Sequence, residues 1–458
     1  MFKIEPKIRP SLPAAFTLTA MIVVLISFSI IKLKSVPHIP ILLSIFLLLA
    51  FGAVQKLSFK KMEEGMLEGA KSGMGAVFIF FLIGVLISSW MMSGTIPTMI
   101  YTAFSFVTPH FFYSIVFIVT AIIGLGIGSS LTTVATIGVA FIGVSGVVDA
   151  SVAITAGAIV SGAFFGDKMS PLSDTTNLAA SIVGVDLFTH IRNMGWTTIP
   201  AFLITLILFA FISPKVGQTQ FPKVEAIKEA LHEMDLIHWY AWLPLVLLFL
   251  LSIKKVSPII TLALSSIFGV LLSFLHSDRS LADVWGILFS GFTSKTGNAD
   301  VDALLTRGGM DSMMFTISLV LLSLSLGGLL FSLGVIPRLF EAVEHRLKNA
   351  GSTVAAAAGS AIGINFIIGE QYLSILLTGE AFQRQFEKVG LAKKNLSRTL
   401  EDAGTVINPL VPWGVCGVFI TNMLGVATVD YLPFAFFCLL SPILTILYGM
   451  TGWTLTKK

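Results

Sequence analysis

The sequence predicts an all-α polytopic membrane protein: two inverted repeats of five spans each, with two re-entrant helical hairpins and two broken helices. Three observations carry that prediction. Of 458 residues, 55% are hydrophobic and only 12% charged, against about 25% charged in soluble domains. Apolar runs long enough to cross a ~30 Å hydrocarbon core as a helix of about 20 residues recur from end to end. Runs such as "ILLSIFLLLAFGAV" (41–54) and "FIFFLIGVLISSWMM" (78–92) are continuous, whereas the strands of a membrane barrel alternate. Finally, segments of the first half recur in order in the second.

The recurrence has nearly one spacing. "SGTIPTMI" (93–100) answers "LGVIPRLF" (333–340), and "GSSLTTVATIGVAF" (128–141) answers "GEQYLSILLTGEAF" (369–382). "GDKMSPL" (166–172) answers "GTVINPL" (404–410), with Gly166, Pro171 and Leu172 falling on Gly404, Pro409 and Leu410. The first repeat is therefore 12–213, the linker 214–238 and the second repeat 239–455.

Taken in order, the first repeat offers spans 12–33, 37–56 and 70–92, a hairpin 112–147, a broken helix 151–185 and a last span 195–213. The second offers 239–253, 257–276, 309–333, a hairpin 352–383, a broken helix 399–425 and 431–453. The N-terminal run has a basic start like a signal peptide, but its apolar part is too long and lacks a small-residue cleavage site, so it reads as the first span. If each hairpin enters and leaves on one side, each half crosses five times, and an odd number inverts the second half. With the N-terminus inside, 20 of the 29 lysines and arginines fall on inner segments and 8 on outer ones, with Lys168 inside a span. That is the bias expected of cytoplasmic loops, and it places both termini in the cytoplasm.

The interrupted helices hold the chemistry. "GAFFGDKMSPLSDTTNLAA" (162–180) sets Asp167, Lys168 and Asp174 among Ser170, Ser173 and Thr175, between two apolar segments. Three charges facing lipid would together cost about 8 to 10 kcal/mol, so they face protein or water. Pro171 and Pro409 have no N–H to give to the residue four back, which predicts free carbonyls at Asp167 and Thr405, and Pro412 predicts one at Asn408. Unwound backbone at membrane depth is tolerated where it lines a cavity. Paired breaks in two inverted halves are the sequence sign of a secondary transporter with its site near the midplane.

Carboxylates, hydroxyls and carbonyls are hard oxygen ligands, which points to Na⁺ held at Asp167, Asp174 and Thr405, with Asn408 nearby. The hairpin tips, Gly128, Ser129 and Ser130 in one half and Glu370 and Gln371 in the other, supply the opposite wall. Other readings stand beside these. The aspartates can form a structural pair with Lys168, Glu370 and Glu380 can sit at wet hairpin ends, Glu401 and Asp402 can cap a half-helix, and the tip glycines can serve packing. Trp90, Trp196, Trp239 and Trp242 lie near span ends and read as interface anchors.

Several classes are excluded. A net charge of +4 with no basic patch gives no case for nucleic acid. Cys416 and Cys438 lie in apolar runs without metal or redox spacing. No H-E-x-x-H or G-x-S-x-G occurs, so the chain does not read as an enzyme, and no cofactor is implied beyond a transported ion. Spans 37–56 and 257–276 are candidates for a homodimer contact.

"GDKMSPLSDTTNLAA" resembles the signature of NhaC-type Na⁺/H⁺ antiporters, a family that includes malate/lactate antiporters, and the length and hydropathy fit over the whole chain. It is also similar to the wider ion-transporter superfamily, in which a transport domain moves against a scaffold. The resemblance implies exchange of Na⁺ for H⁺ across a bacterial inner membrane, or Na⁺- and H⁺-coupled movement of a small carboxylate or amino acid. It carries over as motif residues Asp167, Ser170, Ser173, Asp174 and Thr175; Thr405 and Asn408 rest on the internal repeat and on the superfamily likeness. On this reading Asp167 or Asp174 binds either Na⁺ or a proton, and Lys168 tunes that carboxylate.

Overall fold

The computed structural model describes residues 5–106, 111–147, 150–213, 228–229, 231–296, 302, 305–344, 347 and 349–457. The linker 214–238 lies largely outside them. The described chain is helical, with isolated bridges at Phe292–Arg307 and Leu391–Lys457 as its sole β pairings. Among the described residues six helices are long and apolar enough to cross a membrane: Leu12–Ile31, Met74–Met92, Val152–Met169, Leu187–Ile212, Asp311–Ser332 and Ala350–Ile368. Counting two bent pairs as single spans gives up to eight. The chain is a multi-pass membrane protein.

Local signals set the helix ends. Ser11, Ser151, Ser173 and Asp186 each accept a bond from a backbone N–H three residues on, satisfying donors that a helix start leaves open. Asn349 and Ser352 form a reciprocal capping box.

Burial sorts the spans. In Val152–Met169, 72% of the span is buried, against 28% in Leu12–Ile31 and Leu187–Ile212, which turn Phe16, Val24 and Phe211 outward. Such faces suit lipid. Trp90 departs from the sequence expectation of an interface anchor. It is fully buried and donates from Nε1 to Ser265 Oγ at 3.2 Å, because a close helix partner covers this end of its span. Trp196 and Trp239 are exposed.

Packing crosses between the halves. His38–Val54 lies on Met314–Ser332, and Pro258–Ser273 lies on Met74–Met92. The half-helix Asp174–Val183 packs on the second hairpin's outgoing helix, Gln371–Lys388, while Val415–Leu424 packs on the π-turn Val134–Gly138 of the first hairpin.

Both hairpins turn on a glycine. The first runs Phe112–Ile127, turns, and returns as Ser130–Thr133, the π-turn and Val139–Val147. The second runs Ala350–Ile368 and returns as Gln371–Lys388. Gly128 (φ +71°) and Gly369 (φ +79°) take left-handed conformations at the tips, which a residue with a Cβ adopts only at a cost. Both broken helices are interrupted. The first stops at Met169 and restarts at Asp174; the second passes from Lys393–Leu400 through a π-turn, Glu401–Thr405, and restarts at Val415 after a 46° bend.

Two of the three prolines, Pro171 and Pro412, do not leave the expected carbonyl free. The Asp167 carbonyl accepts from the Ser170 N–H at 3.0 Å, and that of Asn408 from the Val411 N–H at 3.2 Å. The tighter turns at the breaks re-use the oxygens the prolines release. A further bend of 59° separates Thr428–Phe434 from Phe436–Thr451, so the last predicted span, 431–453, is not straight.

Candidate functional site

The two hairpin tips and the first break meet at a cavity of about 870 Å³. Its inner wall carries Asp167, Asp174 and Thr175, the tip residues Gly128, Ser129 and Ser130, and Glu370 and Gln371 of the second tip. Val415 and Cys416, which start a half-helix, also line it, as do the exposed Glu68, Lys71 and Lys255. The motif of the first broken helix and the tip of the second hairpin therefore share one space.

Asp167 is 5% exposed and accepts from the Ser130 N–H through Oδ2 at 3.1 Å, tying the hairpin tip to the break. Asp174, the first residue of its half-helix, is exposed into the cavity. Ser173 caps that half-helix by accepting from Thr176 N, and its hydroxyl lies 3.1 Å from that of Thr175. Ser170 Oγ accepts from the Leu172 N–H. Ser129 and Glu370 play matching roles, each accepting at the start of a returning helix, from Thr132 N and Leu373 N. Gln371 is buried with its Oε1 unpartnered.

The second break forms a frame behind the cavity. Asn408 donates to Asn365 Oδ1 and accepts from the Cys416 N–H, both at 2.8 Å. Asn365 also donates to the Gly404 carbonyl at 2.7 Å, Tyr431 donates to that of Pro409 at 2.5 Å, and the Val415 N–H donates to Gly369 O at 2.8 Å. This network fixes the unwound stretch, since buried backbone groups need partners. Thr405 is fully buried with an unpartnered hydroxyl. Neither it nor Asn408 is among the residues that line the cavity. Among the described residues no three His, Cys, Asp or Glu side chains gather as a metal-binding set.

Lys168 pairs with Asp402 of the second break, and both are fully buried. The ion pair thus joins the two broken helices across the halves, where the sequence had suggested a local partner in Asp167 or Asp174. The Lys168 ammonium also lies 5.6 Å from the Phe437 ring centroid.

A model of the Na⁺/H⁺ antiporter family matches residues 162–453. The chain belongs to that family. A protein named Na⁺/H⁺ antiporter NhaC in Alkalihalophilus pseudofirmus is 43% identical over 442 residues, covering 96% of each chain. One of the same name in Bacillus subtilis is 42% identical, over 90% of this chain and 92% of the relative. A malate-2H⁺/Na⁺-lactate antiporter of Bacillus subtilis is 32% identical over 91% of this chain and 89% of its own. The family match opens at Gly162, within the first broken helix, and includes both breaks and the second hairpin.

Sequence reading passed over Asn365 and gave Glu401 and Asp402 only a capping role. Asn365 carried a signal, an amide in an apolar run four residues before a tip glycine. For Asp402 the signal was a lone buried lysine, Lys168, needing a partner of opposite charge.

Proposed function

We propose that this protein is a secondary active transporter that exchanges Na⁺ for H⁺, with Na⁺ held where the first break meets the hairpin tips. The observation that carries this reading is the convergence of Asp167, Asp174 and the Glu370–Gln371 tip on one cavity. Oxygen ligands of this type suit a small hard cation, and a site lined by carboxylates opposes an anion. The names of the two relatives above 40% identity support the same exchange. Na⁺ and a proton then compete for the same negative charge, and that competition couples their fluxes.

Alternating access needs two halves that move against each other. The reciprocal packing of the second span of each half on the third of the other supports inverted repeats 12–213 and 239–455. With the exposed lining residues Lys71 and Lys255 on the side rich in basic loops, the cavity opens to the cytoplasm of a bacterial cell, where both termini lie. Thr405 stands behind the site and joins it only if the second break moves.

A small carboxylate as co-substrate is the second reading, and the cavity's size and the malate/lactate relative favour it. Reconstituted vesicles carrying a pH gradient separate the two. Accumulation of ²²Na⁺ with no organic acid present supports the exchanger reading. Accumulation that requires malate, lactate or an amino acid overturns it.

A further inference from the structure

We infer that Arg307 is an outer latch of the transporter: it holds the far end of the half-helix Val415–Leu424 and so keeps the cavity shut on the side away from the cytoplasm. The inference rests on the exchange reading above and deepens it by naming what must let go when the site turns outward. The half-helix reaches between two places. Its first residues, Val415 and Cys416, line the cavity. Its last turn meets Arg307 and the start of the span Met314–Ser332: Arg307 Nη1 donates to the Met423 carbonyl at 2.6 Å, and Asn422 Nδ2 donates to Thr316 Oγ1 at 3.2 Å.

The chemistry of a helix end explains the contact. The last four carbonyls of a helix have no partner within it, and the aligned peptide dipoles leave partial negative charge there that a cation stabilises. Gly425, at φ +70°, closes the half-helix, and its N–H takes the Thr421 carbonyl, which leaves that of Met423 to the guanidinium. No ion pair among the described residues includes Arg307, so its charge rests on a neutral carbonyl. Such a bond holds a closed state and still breaks more readily than a buried ion pair, which is what a gate that opens in every cycle requires.

The latch is mounted on a stiff support. Arg307 and Phe292 exchange two backbone hydrogen bonds, at 2.9 and 3.0 Å. Close by, the Gly309 N–H donates to Gly84 O and the Met310 N–H to Leu288 O, both at 3.0 Å. Gly84 lies near the middle of the span Met74–Met92, and a Cβ there would stand 2.4 Å from Gly309 O. Gly308 and Gly309 take φ +91° and +90°, which glycine adopts freely. Glycine on both sides thus seats this segment directly against the span. Arg307 belongs to the part built on Met74–Met92, whereas the half-helix is tied to the second hairpin and break through Gly369 and Asn408. Movement of one part against the other has to break the Arg307 bond. With the cavity open towards Lys71 and Lys255, the latch is engaged on the opposite side.

Arg307→Gln shortens the side chain and removes its charge without touching the cavity. The reporter is Leu131→Cys, a half-buried position on the cavity wall, labelled with a quaternary-ammonium methanethiosulfonate that does not cross the bilayer. Rates are read above the background of the buried Cys416 and Cys438, in right-side-out and inside-out membrane vesicles. With Arg307 in place, labelling comes from the cytoplasmic face. In Arg307→Gln, labelling from the outer face rises about tenfold, the equilibrium worth of a hydrogen bond to a charged group. Arg307→Lys, which keeps a charge and a donor, restores most of the inward preference. Unchanged rates at both faces in Arg307→Gln overturn the latch, and so does labelling from the outer face alone while Arg307 is intact. Should Arg307→Gln not fold, Asn422→Ala decides, since that side chain is exposed: a rise in outer labelling supports the latch, and no rise overturns it. Absence of ²²Na⁺ counterflow in the wild type would count against the exchange reading, while the labelling judges the latch by itself.

Discussion

Replacing Lys168 by methionine keeps most of the side chain's bulk and removes its charge. Asp402 Oδ1 then has no partner, and its Oδ2 has none in the native fold. Both members of the pair are fully buried, so the variant leaves an uncompensated interior charge, which costs about 3 to 5 kcal/mol. Asp402→Asn is milder. It too leaves a buried charge without its counter-charge, but the amide oxygen still accepts from the ammonium, which also keeps the Phe437 ring face, so the loss falls at the lower end of that range, about 3 kcal/mol. The double variant removes both charges and recovers much of the single-variant loss. Reversible unfolding in mixed micelles, read for the wild type, both single variants and the double, gives the coupling energy by difference. Single variants that each cost less than about 1 kcal/mol, as exposed pairs do, would refute the reasoning.

Two further outcomes follow from the geometry. Gly128→Ala forces a left-handed backbone, a cost of about 1 to 2 kcal/mol, and sets its Cβ 2.6 Å from Leu172 Cβ; Gly369→Ala meets Trp413 O at 3.0 Å. Thermal unfolding should therefore fall further for Gly128→Ala, and equal losses would count against the packing described at the first tip. Outside the membrane, Arg9 and Arg338 bond Glu341 at 2.8 and 2.7 Å and hold its carboxyl below the usual range. A lowered value means stability that is present above the ordinary carboxylate range and is lost as pH falls through the lowered one. Glu341→Gln should thus cost less than about 1 kcal/mol at neutral pH, shrinking with salt and vanishing in acid; a loss that persists in acid contradicts the ion-pair account.

How much of this was legible in the sequence divides along a physical line. The apolar helices, the tip glycines and the first break were readable because they depend on local chemistry: apolar runs, a proline, a residue type suited to positive φ. Helix length was less so: the predicted spans 37–56, 239–253 and 257–276 appear as shorter apolar helices of 10–17 residues, His38–Val54, Trp239–Ile253 and Pro258–Ser273. The Lys168–Asp402 pair was not, since the partners are 234 residues apart and only the packing of one half on the other brings them together. The carbonyls of Asp167 and Asn408 were expected to be free and are not, because whether a following N–H recaptures them depends on the turn the chain takes next. Asn408 looked like an ion ligand by analogy with the first repeat, yet both ends of its amide are held by Asn365 and Cys416. The repeat is echoed in sequence, but its two copies take different local structure: a plain turn at Ser170–Ser173 and a π-turn followed by a 3₁₀ turn at Glu401–Leu410.

Binding of ²²Na⁺ to the purified protein, compared between wild type and Asp167→Asn across a pH series, tests the central claim most directly. The asparagine keeps an oxygen to accept from the Ser130 N–H, so the hairpin tip stays in place while the charge is gone. The account predicts saturable Na⁺ binding to the wild type that weakens as pH falls, and none to the variant. Equal binding by both proteins, or wild-type binding indifferent to pH, would contradict it.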